Sequence, residues 1–284
     1  MESDEKWNIF ASTGKVEDYL RYKLGRSENI NADNNRRNCS QGTDSGGHRQ
    51  VDILTRDYGV IELSVRGVKK INSKSGSGTQ LFAYSKFCYA STKRGYVLNS
   101  VEPIKIFYGI STDLDALTLA EYFSEIISYA VEPQKQNNEV VRLFLNSLYY
   151  LSEGRRDKKL IKSIFELRFM TETGLMPNVT ACCHCGEYCD NESMYFSAQD
   201  GRLICKRCYD NETGYGLVSP AVIKAFRHIV FSDFSRLFNF RLSGSASQQL
   251  SVLSEKYILS HLGRTFRSLE FYIRYNNEDT AKIV

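Results

Sequence analysis

Between Val51 and Val101 lie β-branched and aromatic runs, in the first hairpin of which apolar and polar positions alternate with a period of two. Val51-Asp52-Ile53-Leu54-Thr55 and Val60–Arg66 flank the turn Arg56-Asp57-Tyr58-Gly59, and Ile61, Leu63 and Val65 alternate with Glu62, Ser64 and Arg66. This alternation predicts a hairpin with one buried and one wet face. A second pair of strands, near Leu81–Ala90 and Tyr96–Val101, is joined through Thr92-Lys93-Arg94-Gly95. Four strands within about fifty residues predict a small barrel or curled sheet. After Pro103 the period lengthens. Leu114–Ala130, Val140–Leu151 and Leu160–Thr173 carry apolar residues three and four apart, as at Leu160, Ile164 and Leu167, and predict helices that stop at Gly154 and Gly174. Helices resume at the capping pair Ser219-Pro220, run to about Val230, and recur from Ser247 to about Tyr275.

The chain begins differently. Trp7–Phe10 and Val16–Leu20 have a helical spacing, whereas residues 30–49 hold almost no apolar side chain. With nothing to bury, residues 1–49 form an atypical segment that is expected to be mobile.

Composition changes this picture little. Of 284 residues, 42% are hydrophobic and 25% charged, which excludes disorder throughout. Net charge is only +4, from 37 Lys and Arg against 33 Asp and Glu, so local charge has to decide what the chain binds. There is no apolar run of about 18 residues to cross a bilayer, and Met1–Lys6 lacks the pattern of a signal peptide. A cytoplasmic protein is expected, with no membrane partner. Its eight cysteines should then be reduced thiols or metal ligands.

Six cysteines lie between Cys182 and Cys208. Cys182 and Cys185 form one C-x2-C pair and Cys205 and Cys208 another, with nineteen residues between them. Two such turns let four thiolates converge on a tetrahedral Zn²⁺, and Gly186 suits the positive φ that the first turn needs. Cys183, His184 and Cys189 are competing ligands within reach, and Cys183 and Cys189 fit the spacing less well. Four sulfurs saturate zinc and leave no open position, so the expected role is structural. Phe196–Leu203 supplies a hairpin between the pairs. Lys206 and Arg207 either touch phosphate or offset thiolate charge.

Between Ser64 and Val101 there is no Asp or Glu, while Arg66, Lys69, Lys70, Lys74, Lys86, Lys93 and Arg94 supply seven positive charges. Phe82, Tyr84, Phe87, Tyr89 and Tyr96 interleave with them. Cations that track phosphates beside rings that stack bases are how small barrels hold single strands. The bland alternative is that half of these rings fill the barrel and that the basic loop Arg66–Gly78 is a solvated edge.

These blocks together resemble the RecO family of bacterial recombination mediators. The likeness runs from about Val51 to Tyr275. It includes Leu54–Ile61, Arg66–Lys70, Thr79-Gln80-Leu81, Glu102-Pro103-Ile104, the helix with Phe165-Glu166-Leu167-Arg168, both cysteine pairs, Tyr257–Arg264 and Ser268–Tyr272. The resemblance implies an α+β chain: an OB-like DNA-binding barrel over 50–104, then an all-helical domain over 105–284 with a four-cysteine zinc module inserted at about 178–215. It also implies binding of single- and double-stranded DNA, annealing of complementary strands, a nucleoid-associated location, and contact with RecR and with the C-terminal tail of single-stranded-DNA-binding protein, so that RecA is loaded. The N-terminus departs from the family. Residues 33–49 have no strand pattern where the barrel's first strand belongs, and 1–32 resemble short YqzL-type bacterial proteins. A frameshifted fusion is the expectation, because a one-nucleotide shift with suitably chosen synonymous codons reads as the missing strand; the barrel would then lack that strand and expose an edge.

Annealing needs no nucleophile or general base, and no P-loop, His-x-x-x-His or Ser-His-Asp arrangement is evident. His228 and His261 lie in helical segments among apolar neighbours and are read as packing or surface residues. Two rival readings stand beside the mediator: a zinc-stabilised, sequence-specific transcription regulator, and a metal-dependent nucleic-acid enzyme, which four thiolate ligands disfavour.

Overall fold

A computed structural model describes residues 31–32, 49–65, 74–93 and 95–282. The expected mobile segment therefore lies, apart from Asn31, Ala32 and Arg49, outside the described residues. The described residues fall into two compact units, 153–270 in one and 31–152 with 271–282 in the other. Residues 105–152, expected to group with the zinc module, share a unit with the strands.

That unit begins with strands β1 (Asn31–Ala32), β2 (Arg49–Thr55) and β3 (Gly59–Val65). A short helix α1 (Lys74–Gly78), then β4 (Ala83–Thr92) and β5 (Gly95–Ile106), complete the series. The two predicted hairpins form, with Ile53 opposite Ile61 and Phe87 opposite Val101. β3 runs parallel to β5, and β1 pairs with both β2 and β4, so the order β1-β2-β3-β5-β4 returns on itself. The expected open edge is thus corrected. Ala32 opposes Leu54 on one side and Tyr84 on the other, although this first strand is only two residues long. Inside lie Val51, Ile53, Ile61, Leu63, Val65 and Phe87, with Leu98 and Val101 against them. A slip of one residue in β3 would turn Ile61, Leu63 and Val65 to water, at about 1.5–3 kcal/mol per side chain, so the alternation fixes the register.

Gly59 shows how tightly the β2–β3 turn is covered. Its φ is +65°, and a Cβ there would meet the Glu132 carbonyl oxygen at 2.6 Å. The segment after the next long helix folds over this turn, Gln134 N donating to Tyr58 O at 2.9 Å and Asn137 N to Arg56 O at 2.7 Å. The helices are α2 (Tyr108–Ser111), α3 (Leu114–Ala130) and α4 (Asn138–Glu153). Asp113 caps α3 through Ala116 N at 3.1 Å.

The second unit contains α5 (Lys158–Glu172), α6 (Pro220–Phe231) and α7 (Gly244–Leu262), with a four-stranded sheet inserted between α5 and α6; α8 (Arg267–Lys282) follows. The helical stretch expected from Ser247 to about Tyr275 is two helices, because Gly263 takes φ +63° and ends α7. Ser219 precedes α6 as predicted, but its hydroxyl leaves the helix uncapped and donates to Gln249 Oε1 at 3.1 Å.

Helix α5 departs most from its sequence pattern. Every residue from Leu160 to Met170 is buried, the polar ones included. Lys162 Nζ sits 2.9 Å from Glu166 Oε1 and 2.9 Å from Glu255 Oε2, and Ser254 Oγ donates to Glu166 Oε2 at 2.6 Å. Arg168 Nη1 reaches the carbonyl oxygens of Ile229, Val230 and Ser232, closing the C-terminal end of α6. Burial raises the Glu166 carboxyl above its usual range, and Lys162 and Ser254 pull it part of the way back.

Lys162→Met is therefore expected to cost about 3–5 kcal/mol near pH 8, because it strands a buried carboxylate. A carboxyl whose folded pKa is raised contributes stability at low pH and loses it as pH rises from the ordinary carboxylate range through the folded value. The deficit should accordingly narrow as pH is lowered toward 5, because protonation of Glu166 removes the stranded charge. Urea denaturation of both chains at the two pH values checks this, and a pH-independent deficit would contradict it.

Candidate metal centre and strand surface

The sheet of the second unit consists of β6 (Asn178–Cys182), β7 (Met194–Ser197), β8 (Arg202–Cys205) and β9 (Tyr215–Val218), in the order β6-β8-β7-β9. β7 and β8 are the predicted hairpin. β6 lies parallel to β8, so the two strands deliver Cys182 and Cys205 side by side at the same end. A tight turn follows each cysteine. Gly186 N donates to Cys182 O at 2.9 Å with φ +72° at the glycine, and Cys208 N and Tyr209 N both donate to Cys205 O at 3.1 Å.

These turns bring the Sγ atoms of Cys182, Cys185, Cys205 and Cys208 within 4.8 Å of one another, and Cys185 and Cys205 are 3.8 Å apart. A tetrahedral zinc with bonds of about 2.3 Å places its sulfurs about 3.8 Å apart, so the cage has the size of a structural zinc site. The donors around it point the same way. Burial raises the Cys182 thiol, yet backbone N–H groups of Cys185, Cys205 and His184 outweigh it and bring the pKa to about 6. Of these, Cys205 N lies 3.3 Å from the sulfur. The Cys208 thiol is instead held up to about 12, first by hydrogen bonding with Cys185 and Cys205, then by burial and by the neighbouring Cys182. Four thiolates this close repel one another, and a divalent cation supplies the charge that lets all four ionise.

The competing ligands stay outside the cage. Cys183 is exposed, with its N–H bonded to Leu203 O at 2.8 Å, and Cys189 is buried elsewhere in the module. The imidazole of His184 faces Glu212 at 3.7 Å. Arg207 pairs with Glu187, which takes up the charge considered for phosphate. One supporting residue has no sequence signature. Arg227 on α6 donates from Nε to Val179 O and from Nη1 to Cys189 O, both at 2.9 Å, and its guanidinium lies 4.0 Å from the centre of the Tyr188 ring. It fastens the first cysteine turn to the helix from both sides, and nothing in a helical pattern distinguishes it from a surface arginine.

The basic strand segment is only partly described. Arg66, Lys69, Lys70 and Arg94 lie outside the described residues, as does the side chain of Lys74 at the start of α1. Lys93 is exposed in the β4–β5 turn. Lys86, on β4, is half-buried and stands directly opposite Glu102 on β5, just beyond the acid-free stretch. The rings do not line an outer face. Phe82, Tyr84 and Phe87 are buried. Tyr89 and Tyr96 are half-buried, pack on the barrel core and meet edge to face at 5.4 Å. This favours the alternative in which the rings fill the barrel; the register shifts at Tyr84/Ser85 and Cys88/Tyr89 leave Ile104 and Asn99 of β5 without a partner in the β4 ladder.

Known families reproduce both parts. Residues 47–107 match the family model described as recombination protein O N terminal, and residues 111–270 match recombination protein O C terminal. DNA repair protein RecO of Acetivibrio thermocellus is 33% identical over 223 residues, covering 78% of this chain and 88% of that protein. DNA repair protein RecO of Bacillus subtilis is 29% identical over 221 residues, covering 78% and 86%. That of Alkaliphilus metalliredigens is 28% identical over 219 residues, covering 77% and 89%. The matched models join the strand segment to a helical part that carries four converging cysteines, and the chain belongs to the RecO family.

Proposed function

We propose that this chain is a non-enzymatic mediator of DNA repair and homologous recombination. It binds single- and double-stranded DNA, anneals complementary strands and helps load RecA on strands coated with single-stranded-DNA-binding protein. The observation that carries the reading is the family match across both parts of the chain. The strand order supports an OB-like barrel: five short strands with a parallel β3–β5 pair and a return through β1, the kind of small barrel that holds oligonucleotides.

In this reading residues 50–104, joined by β1, form the DNA-binding domain and 105–284 the helical part, of which 105–152 share the compact unit of the strands. Arg66, Lys69, Lys70, Lys74, Lys93 and Arg94 track phosphates, and Lys86 contributes less because Glu102 opposes it. The half-buried rings leave stacking a smaller share than charge. Zinc on Cys182, Cys185, Cys205 and Cys208 holds the sheet together and performs no chemistry on the nucleic acid. RecR and the tail of single-stranded-DNA-binding protein are the proposed protein partners, and the cytoplasm is the proposed location. No helix among the described residues is long and apolar enough to cross a membrane.

Two measurements test this reading. Replacing Lys69, Lys70 and Lys74 together by Glu should weaken binding of an oligothymidylate at least tenfold. It should also make the salt slope shallower by about 2, since each single-strand phosphate contact contributes about 0.7. Unchanged affinity and slope would remove the loop from the binding surface. Cys182→Ser or Cys208→Ser should lower the zinc content, read by elemental analysis, from one per chain toward zero and lower the melting temperature, because metal binding is part of folding. Full zinc with unchanged melting would refute the ligand set.

A further inference from the structure

The β6–β9 sheet has two unlike faces. Toward the helices, Phe196 packs on Phe226 at 4.9 Å and on Tyr257 at 6.3 Å. On the opposite face Tyr195 stands directly between Ile204 and Leu217, and the Tyr209 ring stacks on it at 3.6 Å and 12°. Leu217 is 52% exposed, and Tyr195 and Tyr209 are half-buried. An exposed leucine beside a pair of stacked tyrosines is a composition enriched at binding surfaces.

Charge decides what such a face accepts. Between Asn178 and Val218 there are six acidic residues, Glu187, Asp190, Glu192, Asp200, Asp210 and Glu212, against Arg202, Lys206 and Arg207. Arg207 is paired with Glu187, and Lys224 from α6 stands 3.7 Å from Asp190, so the surplus is still negative after these pairs are removed. Four thiolates around a divalent metal add two further negative charges. A nucleic acid would meet repulsion here despite the stacked rings, because phosphate binding requires cations. A lysine- and arginine-bearing polypeptide meets attraction and finds apolar contact at Leu217.

The sheet edge is the poorer site. Gln249 Nε2 already donates to Leu217 O at 3.0 Å, and Gln249 Oε1 accepts from Ser219 N at 3.2 Å, so pairing of an added strand along β9 is obstructed. The face remains.

We infer that the outer face of the β6–β9 sheet, Tyr195, Tyr209 and Leu217, with Asp210 following Tyr209 in the chain and Glu212 on the same connection into β9, docks a basic protein segment carrying apolar side chains. This surface belongs to the other compact unit from the proposed DNA-binding strands and goes beyond the DNA-binding reading.

The test uses the full zinc-loaded chain and a fluorescein-labelled peptide of about twelve residues containing Lys, Leu, Gly and Ser, sized for one extended segment. A matched peptide with every Lys replaced by Glu and an oligothymidylate are measured in parallel. The basic peptide should bind and the acidic one should not. Leu217→Ser, and Asp210→Lys combined with Glu212→Lys, should each weaken the basic peptide roughly fivefold or more, with zinc content and melting temperature retained. Equal binding of both peptides, or affinity unchanged in both variants, overturns the proposal. So does displacement of the peptide by oligothymidylate together with weaker oligothymidylate binding in Tyr209→Ala. Oligothymidylate affinity of the unaltered chain is read independently, so failure of the DNA-binding reading would be seen separately.

Discussion

Four sulfurs held within 4.8 Å of one another dominate the second unit. Such a cluster is stable only if something compensates the charge of the thiolates, and the chain arranges that in two ways. Backbone N–H groups converge on Cys182 and stabilise its ionised form before any metal arrives. The geometry then matches a divalent cation with tetrahedral sulfur ligands. The parallel pairing of β6 with β8 makes this possible, because it puts the first cysteine of each turn at the same end of the sheet. Arg227 holds the first turn against α6. The cysteine cluster is therefore linked to helix packing through this guanidinium, beside the contact of Phe196 with Phe226.

A second compensated charge lies inside the same unit. Lys162 and Glu166 are both buried on α5, where Glu255 and Ser254 of α7 complete their partners. Each of these groups would be costly alone, and together they specify how α5 and α7 align. The core of the strand unit is an aliphatic set with Phe87, and register is fixed by which residues alternation turns inward.

The weak net charge of +4 conceals two opposite local fields. The stretch from Ser64 to Val101 carries seven cations and no carboxylate, while Asn178–Val218 carries twice as many acidic as basic side chains. A polyanion is drawn to the first and repelled by the second. In the proposed reading, separation of charge along one chain keeps the DNA surface and the surface for basic protein from competing for the same ligand.

The sequence alone determined the two hairpins, the helices after Pro103, the resemblance to RecO and the four cysteines that converge, because each depends on spacing within a short stretch. Alternation, helical periodicity and a pair of C-x2-C turns are local signals. Tertiary structure decided where the rings of the basic segment lie: Phe82, Tyr84 and Phe87 are buried and Tyr89 and Tyr96 pack on the barrel core, which depends on the strands and helices packed against them rather than on the residues themselves. It also decided that Lys86 faces Glu102 and that Arg227 braces the cysteine turn. The burial of α5 on all sides was likewise set by its surroundings. These outcomes rest on contacts between residues far apart in the chain, and a linear pattern records a residue's own preference but not the neighbour that overrides it.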